Sequence, residues 1–179
     1  MKSSISPLPR LLSVVLRPLP LTPLQPILAM LLGAVVRRHP RIFDRLGEYS
    51  QKQFGIEATD LPFAFILEPR PDAPRMVAVR KLPAIGIDAR ISGTLAALVA
   101  LADGTCDGDA LFFSRDLEIE GDIEAIVALR NAIDDSGVDI LRDTTADLGP
   151  FGPPFASLIR FAVAKAEGLP AAAGGQPWN

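Results

Sequence analysis

The sequence predicts an α+β fold, a sheet of roughly five short strands whose apolar face lies under helices. Three observations carry this. Apolar residues recur at helical spacing before Asp60 and with a period of two after it. Turn-rich stretches such as "PRPDAP" (69–74) cut the alternating part into strand lengths. Apolar or amphipathic helical segments lie on either side of the strands and between them, where they can cover one face. A chain of 179 residues suits one domain with appendages.

From Pro18 to Val36 no residue is charged, and the run is flanked by Arg17 and by Arg37-Arg38. Pro18, Pro20, Pro23 and Pro26 interrupt its first half, because proline lacks an N–H and clashes with the preceding turn. What remains for a regular helix is "ILAMLLGAVVRR" (27–38), short of the roughly 20 residues that cross a bilayer. Thr22 is placed to cap this helix or one starting slightly earlier, and Arg37-Arg38 suit its C-terminal dipole. Apolar on nearly every side, it must lie in a core, on a lipid surface or against a partner. A second helix is expected over about 40–53, "PRIFDRLGEYSQKQ", with Pro40 at a tolerant start and Ile42, Leu46 and Tyr49 at helical spacing.

"LPFAFILE" (61–68) and "RMVAVRKL" (75–82) read as the two strands of a hairpin. "AIGIDARISG" (84–93) alternates, with Ile85, Ile87, Ala89 and Ile91 on one face and Gly86, Asp88, Arg90 and Ser92 on the other. Thr94 then caps "LAALVALAD", a helix apolar enough to pack on the sheet. In "DALFFSRDLEIEGD" (109–122) the period of two sends Leu117 and Ile119 inward and Asp116, Glu118 and Glu120 outward. Asp122 caps a helix running to about Asp134, with Ile123, Ile126, Val127, Leu129 and Ile133 mostly on one side. "LGPFGPP" leads to a last helix near 155–167, and "GLPAAAGGQPWN" reads as a disordered tail. The chain therefore divides into a basic, Pro-punctuated leader and helix (1–40), a folded domain (41–168) and a tail (169–179).

The net charge of −3 is unevenly spread. Residues 1–45 hold seven basic residues against Asp44 alone, which leaves −9 on the remainder. A basic head on an acidic body argues against nucleic acid, whose phosphates need a surplus of Lys and Arg. Cys106 is the only cysteine, so no internal disulfide forms, and "LLSVVL" is too short for a secretory core; the expected compartment is the cytoplasm.

His39 is the only histidine, which excludes a multi-His metal site. No GxSxG, GxGxxG or Walker A pattern occurs. Asp103, Thr105, Asp107 and Gly108 match the start of a calcium loop, but Ser114 stands where its bidentate Glu belongs. Glu118 and Glu120 share a strand face and, with Asp88, are the candidate acid–base carboxylates, yet no pocket is evident to raise a pKa. A solvated strand face is the simpler account.

"DALFFSRDLEIEGDIEAIVALRNAID" resembles the most recognisable segment of the sterol carrier protein 2 domain family. Within it the resemblance is to the bacterial branch of ubiquinone-biosynthesis accessory factors, the UbiT group. The matching residues are Phe112, Phe113, Arg115, Leu117, Ile119, Glu120, Gly121 and Asp122, although Asp116 stands where the family often has a second basic residue. "LPLTPLQPILAMLLGAVV" also looks like the family's apolar leader, and the resemblance covers roughly residues 19 to 168.

The resemblance implies a mixed sheet covered on one face by helices, an apolar tunnel, no cofactor and no catalysis. The ligand would be a ubiquinone precursor or a phospholipid, presented to hydroxylases and methyltransferases of the oxygen-independent route. Candidate walls are Leu28, Leu31, Leu32 and Val35 on the first helix and Phe65, Ile87, Ile91 and Leu98 further on. Phe112, Ile126, Leu129 and Phe161 complete the set. Arg17, Arg37, Arg38 and Arg41 would meet an anionic inner-membrane surface, giving a cytoplasmic protein peripherally attached there. Two alternatives stand beside this: an enzyme acting on a hydrophobic substrate through its carboxylates, and an interaction module docking by helix 27–38.

Overall fold

The computed structural model describes residues 20–102 and 117–137. Arg17, Phe112, Phe161, the sole cysteine, the calcium-like stretch, the last expected helix and the tail all lie outside them. Helix α1 (Leu24–Arg38) leads into a 3-10 segment (Asp44–Gln51), followed by β1 (Phe54–Ala58), β2 (Ala64–Glu68) and β3 (Arg75–Val79). Then come β4 (Ala89–Gly93), α2 (Leu95–Ala102), β5 (Leu117–Gly121) and α3 (Ile123–Ser136).

The strands form one mixed sheet in the order β3-β2-β1-β4-β5, with β1 and β4 parallel and the other pairs antiparallel. Register sets the faces. Phe54 lies opposite Leu67 and Ala89, and Ile56 opposite Phe65 and Ile91, so these six share one face. Ile91 in turn pairs with Ile119 and Gly93 with Leu117. Helices α2 and α3 cover that face. Ala96, Ala97 and Ala100 of α2 and Ala125 and Ala132 of α3 are buried in the same core as Phe54, Ile91 and Leu117. Such small side chains let the helices approach the sheet closely, and Ile126 and Leu129 fill the space between.

The caps follow the sequence. Thr94 Oγ1 accepts from the N–H of Ala97 at 3.2 Å, and the buried Asp60 carboxylate accepts from Leu95 N–H at 2.9 Å. Asp122 accepts from Ala125 N–H at 3.0 Å, and α3 ends on Gly137 in the left-handed conformation. Gly121 is a site that only glycine fits. Its φ is 82°, and a Cβ there would collide with the carbonyl oxygen of Asp88, which accepts a hydrogen bond from Asp122 N–H.

Several expectations are corrected. Helix α1 begins at Leu24, not 27, because Pro26 falls in its first turn, where the N–H groups have no intrahelical partner to lose. Its cap position is Pro23, with no side-chain cap bond, so Thr22 does not cap. The expected helix over 40–53 is a turn and a 3-10 segment, broken by Gly47 at φ 53°, ψ −123°. Ile42 and Leu46 are nonetheless buried. The alternation from 84 to 93 becomes strand only at Ala89, since Gly86 turns the chain at φ 92° and leaves Ile85 89% exposed. On α3 the buried stripe is Ala125, Ile126, Leu129 and Ala132, while Ile123 and Val127 face outward. Finally, β1 at the centre of the sheet follows directly on the span expected to be helix and precedes Asp60, where no strand was expected.

Candidate functional site

Helix α1 lies along β3, the edge of the sheet. The Gln25 side-chain amide donates to the carbonyl oxygen of Ala78 at 2.8 Å, and its Oε1 accepts from the Ala78 N–H at 3.1 Å. This one residue satisfies an edge-strand pair as a sixth strand would. Beside it, between helix and strand, opens a groove of about 640 Å³, lined by Pro26, Ala29, Leu32 and Gly33 of α1 and by Met76, Val77 and Val79 of β3. Leu32 and Met76 also pack against the core cluster, so these two side chains form the partition between groove and core. The rim is cationic. Arg75 lines the groove, and Arg37 folds back over Gly33, where a Cβ would stand 3.3 Å from its Nη1. Among the described residues no carboxylate lines the groove.

Most expected wall residues come together on the helix-covered side of the sheet. Leu28 and Leu31 are buried, and Leu32 and Val35 pack on the core. Ile91, Ile126 and Leu129 are part of that core, and Leu98 packs against it. Phe65 is half-buried on the same face and meets Phe63 edge-to-face, with ring centroids 5.5 Å apart. Ile87 is not with them. It lies with Leu82 over Gly55, whose position between Phe54 and Ile56 puts it on the other face.

The residues that sequence reasoning missed are Ala29, Gly33, Met76, Val77 and Val79. A signal was present for α1. Pro26, Ala29 and Gly33 recur at helical spacing as a line of small side chains, opposite the bulkier Leu28, Leu31 and Val35.

The acidic residues near "EIEGD" have structural partners. Asp122 pairs with Lys52 at 2.5 Å while capping α3. The Lys52 ammonium, joined by the Ala125 N–H, holds the Asp122 carboxyl below the usual carboxylate range, and the same hydrogen bond raises Lys52. Two further links join α3 to the 3-10 segment: Tyr49 donates to Glu124 at 3.1 Å, and Arg45 pairs with Asp135 at 2.6 Å. The Tyr49 hydroxyl is thereby raised, chiefly by its bond to Glu124.

Asp88 is occupied by the N–H of Gln53 at 2.7 Å. Glu118 and Glu120 face solvent as the strand period requires, Glu120 at 3.8 Å from Arg90. Among the described residues no group of His, Cys, Asp or Glu is arranged to hold a metal, and no helix is long and apolar enough to cross a membrane. Arg37, Arg38 and Arg41 are exposed at and just beyond the end of α1.

The family model described as the SCP-2 sterol transfer family matches residues 34–134, more than half of the chain. The chain belongs to that family. The match begins within α1 and ends inside α3, so it spans the whole sheet. No curated protein matches. Among solved structures, the UbiJ-SCP2 ubiquinone synthesis protein aligns at 21% identity with a TM-score of 0.52, covering 68% of this chain and 98% of that one. It has the same fold. Apo sterol carrier protein 2 from Yarrowia lipolytica aligns at 12% identity with a TM-score of 0.46, covering 63% of this chain and 91% of that one.

Proposed function

We propose that this protein is a non-enzymatic lipid carrier that serves ubiquinone biosynthesis by the oxygen-independent route. It holds an isoprenoid quinone intermediate or a phospholipid in an apolar tunnel beneath its helices and presents it to modifying hydroxylases and methyltransferases. The observation that carries the reading is membership of the SCP-2 sterol transfer family across the whole sheet. The role of the UbiJ-SCP2 protein in ubiquinone synthesis supports the pathway.

The proposed walls are Leu28, Leu31, Phe65, Ile91, Ile126 and Leu129, with Leu32, Val35 and Leu98 beside them and Phe112 and Phe161 added from the sequence. Ile87, on the other face, is left out. Burying an isoprenoid tail is favourable by about 25 cal/mol per Å² of apolar surface, which asks for wide walls and no chemistry. The cytoplasmic protein rests on the inner membrane through Arg17, Arg37, Arg38 and Arg41, drawn to anionic lipid.

A transfer assay tests the reading. Protein mixed with vesicles that contain a polyprenylated quinone precursor is expected to carry quinone into the supernatant once the vesicles are pelleted. Supernatant quinone no higher than in a protein-free control contradicts the proposal. Flotation on anionic vesicles, lost at high salt, separates lipid contact through the Arg cluster from docking of α1 on a protein.

A further inference from the structure

From the loop that joins β3 to β4 we infer a second membrane contact, in which residues 83–86 enter the surface of an anionic bilayer with Ile85 as the inserting side chain. This rests on the lipid-carrier reading, which requires visits to a membrane, and adds a contact apart from the Arg cluster at the end of α1.

From Leu82 to Ile87 no side chain is polar. Both ends of this run are anchored. A Cβ on Gly55 would stand 2.8 Å from a Leu82 methyl and 3.0 Å from one of Ile87, on the sheet face opposite α2 and α3. Leu82 is buried, and Arg90 donates to the Pro83 carbonyl oxygen at 3.4 Å. Gly86 then turns the chain at φ 92°. The result is a raised tip of Pro83, Ala84, Ile85 and Gly86, all exposed, with Ile85 at 89%.

A lone exposed isoleucine is ordinary on a protein surface. Four successive exposed residues without a polar side chain, held at both ends, are not. Because the ends are already fixed, insertion of the tip orders little further chain.

Size and charge choose the occupant. A stable protein partner needs about 800 Å² on each side, whereas this tip is narrow and stands among charged residues. Lys81 is exposed just before it, Glu120 lies 3.8 Å from Arg90, and Asp88 accepts from the Gln53 N–H. A bilayer accepts a small apolar tip and receives a cation behind it among anionic headgroups, the place of Lys81. One Ile and one Lys hold weakly, so this contact acts together with another, as reversible membrane attachment requires.

The test makes Ile85→Trp in a Trp178→Phe chain, which leaves one indole. Vesicles of phosphatidylglycerol and phosphatidylcholine should shift its emission to the blue, and brominated acyl chains should quench it. Ile85→Ser should weaken co-sedimentation with these vesicles by about tenfold or more, the loss of one buried aliphatic side chain. Lys81→Gln should weaken it by about fivefold on anionic vesicles and leave neutral ones unchanged. Both positions are exposed, so thermal unfolding should match the wild type. An indole that brominated lipid does not quench, with Ile85→Ser bound as tightly as the wild type, overturns the contact; quinone transfer that persists then leaves the carrier reading standing. An indole shielded from acrylamide before vesicles are added also overturns it, because another part of the chain then covers the tip. Quenching in a chain that transfers no quinone keeps the contact and overturns the carrier reading.

Discussion

Gln25 on the first helix exchanges two hydrogen bonds with the backbone of Ala78 on the edge strand, 53 residues away. This reciprocal pair fixes the height of α1 over the sheet edge and so the width of the groove beside it. Gln25→Ala leaves the Ala78 N–H and C=O in a partly buried place, and a loss of about 1–2 kcal/mol is expected from chemical denaturation. Gln25→Glu keeps the acceptor for the Ala78 N–H but turns a carboxylate oxygen toward the Ala78 carbonyl, so at neutral pH it should be at least as destabilising as alanine. If both variants match the wild type, the pair does not hold the helix.

Gly121 leaves no room for a side chain. The carbonyl of Asp88 occupies the place of a Cβ, and φ is 82°. Gly121→Ala therefore carries both backbone strain and a backbone collision, together about 2–4 kcal/mol. Thermal unfolding of Gly121→Ala beside Gly137→Ala separates the two effects, since Gly137 has φ 63° and open space for a Cβ. The Gly121 variant should be clearly the less stable.

The Lys52–Asp122 pair predicts a pH window. Asp122 is held below its ordinary pKa, so its contribution is complete above that ordinary value and is lost as pH falls through the depressed one. Lys52 is held above its ordinary pKa, so its contribution is complete below that ordinary value and is lost as pH rises through the raised one. The difference in Tm between the wild type and Lys52→Met should be flat between about pH 5 and pH 9 and shrink on both sides. Asp122→Asn keeps a cap and loses the pair, so it should fall between the wild type and Asp122→Ala.

Glu118 and Glu120 face water, and Asp88 binds backbone. Glu118→Gln with Glu120→Gln should leave stability and quinone transfer within about 0.5 kcal/mol and twofold of the wild type, as ordinary surface changes do. A loss of transfer larger than tenfold would favour the enzymatic alternative.

The hairpin of β2 and β3 was legible because "PRPDAP" punctuates two alternating runs, and α3 because Asp122 and Gly137 mark its ends chemically. The central strand was not. "FGIEA" is short, carries Gly and Ala, and owes its place to parallel pairing with β4, a contact between distant parts of the chain. The outward position of Ile85 was hidden because sequence alternation continues through Gly86, whose positive φ is a backbone property. For the site, Leu28, Leu31, Leu32 and Val35 of α1 were readable as apolar wall residues, but a helix apolar on nearly every side does not show which face is covered. The groove was not readable, because it depends on how α1 lies across β3, set by the Gln25–Ala78 bond between distant positions.

The most direct measurement of the central claim is native mass spectrometry, with organic extraction, on the full chain purified from cells. A lipid adduct is expected, which extraction identifies as an isoprenoid quinone precursor or a phospholipid. A mass equal to that of the bare chain, together with an extract free of lipid and no uptake of either lipid on incubation, would contradict it.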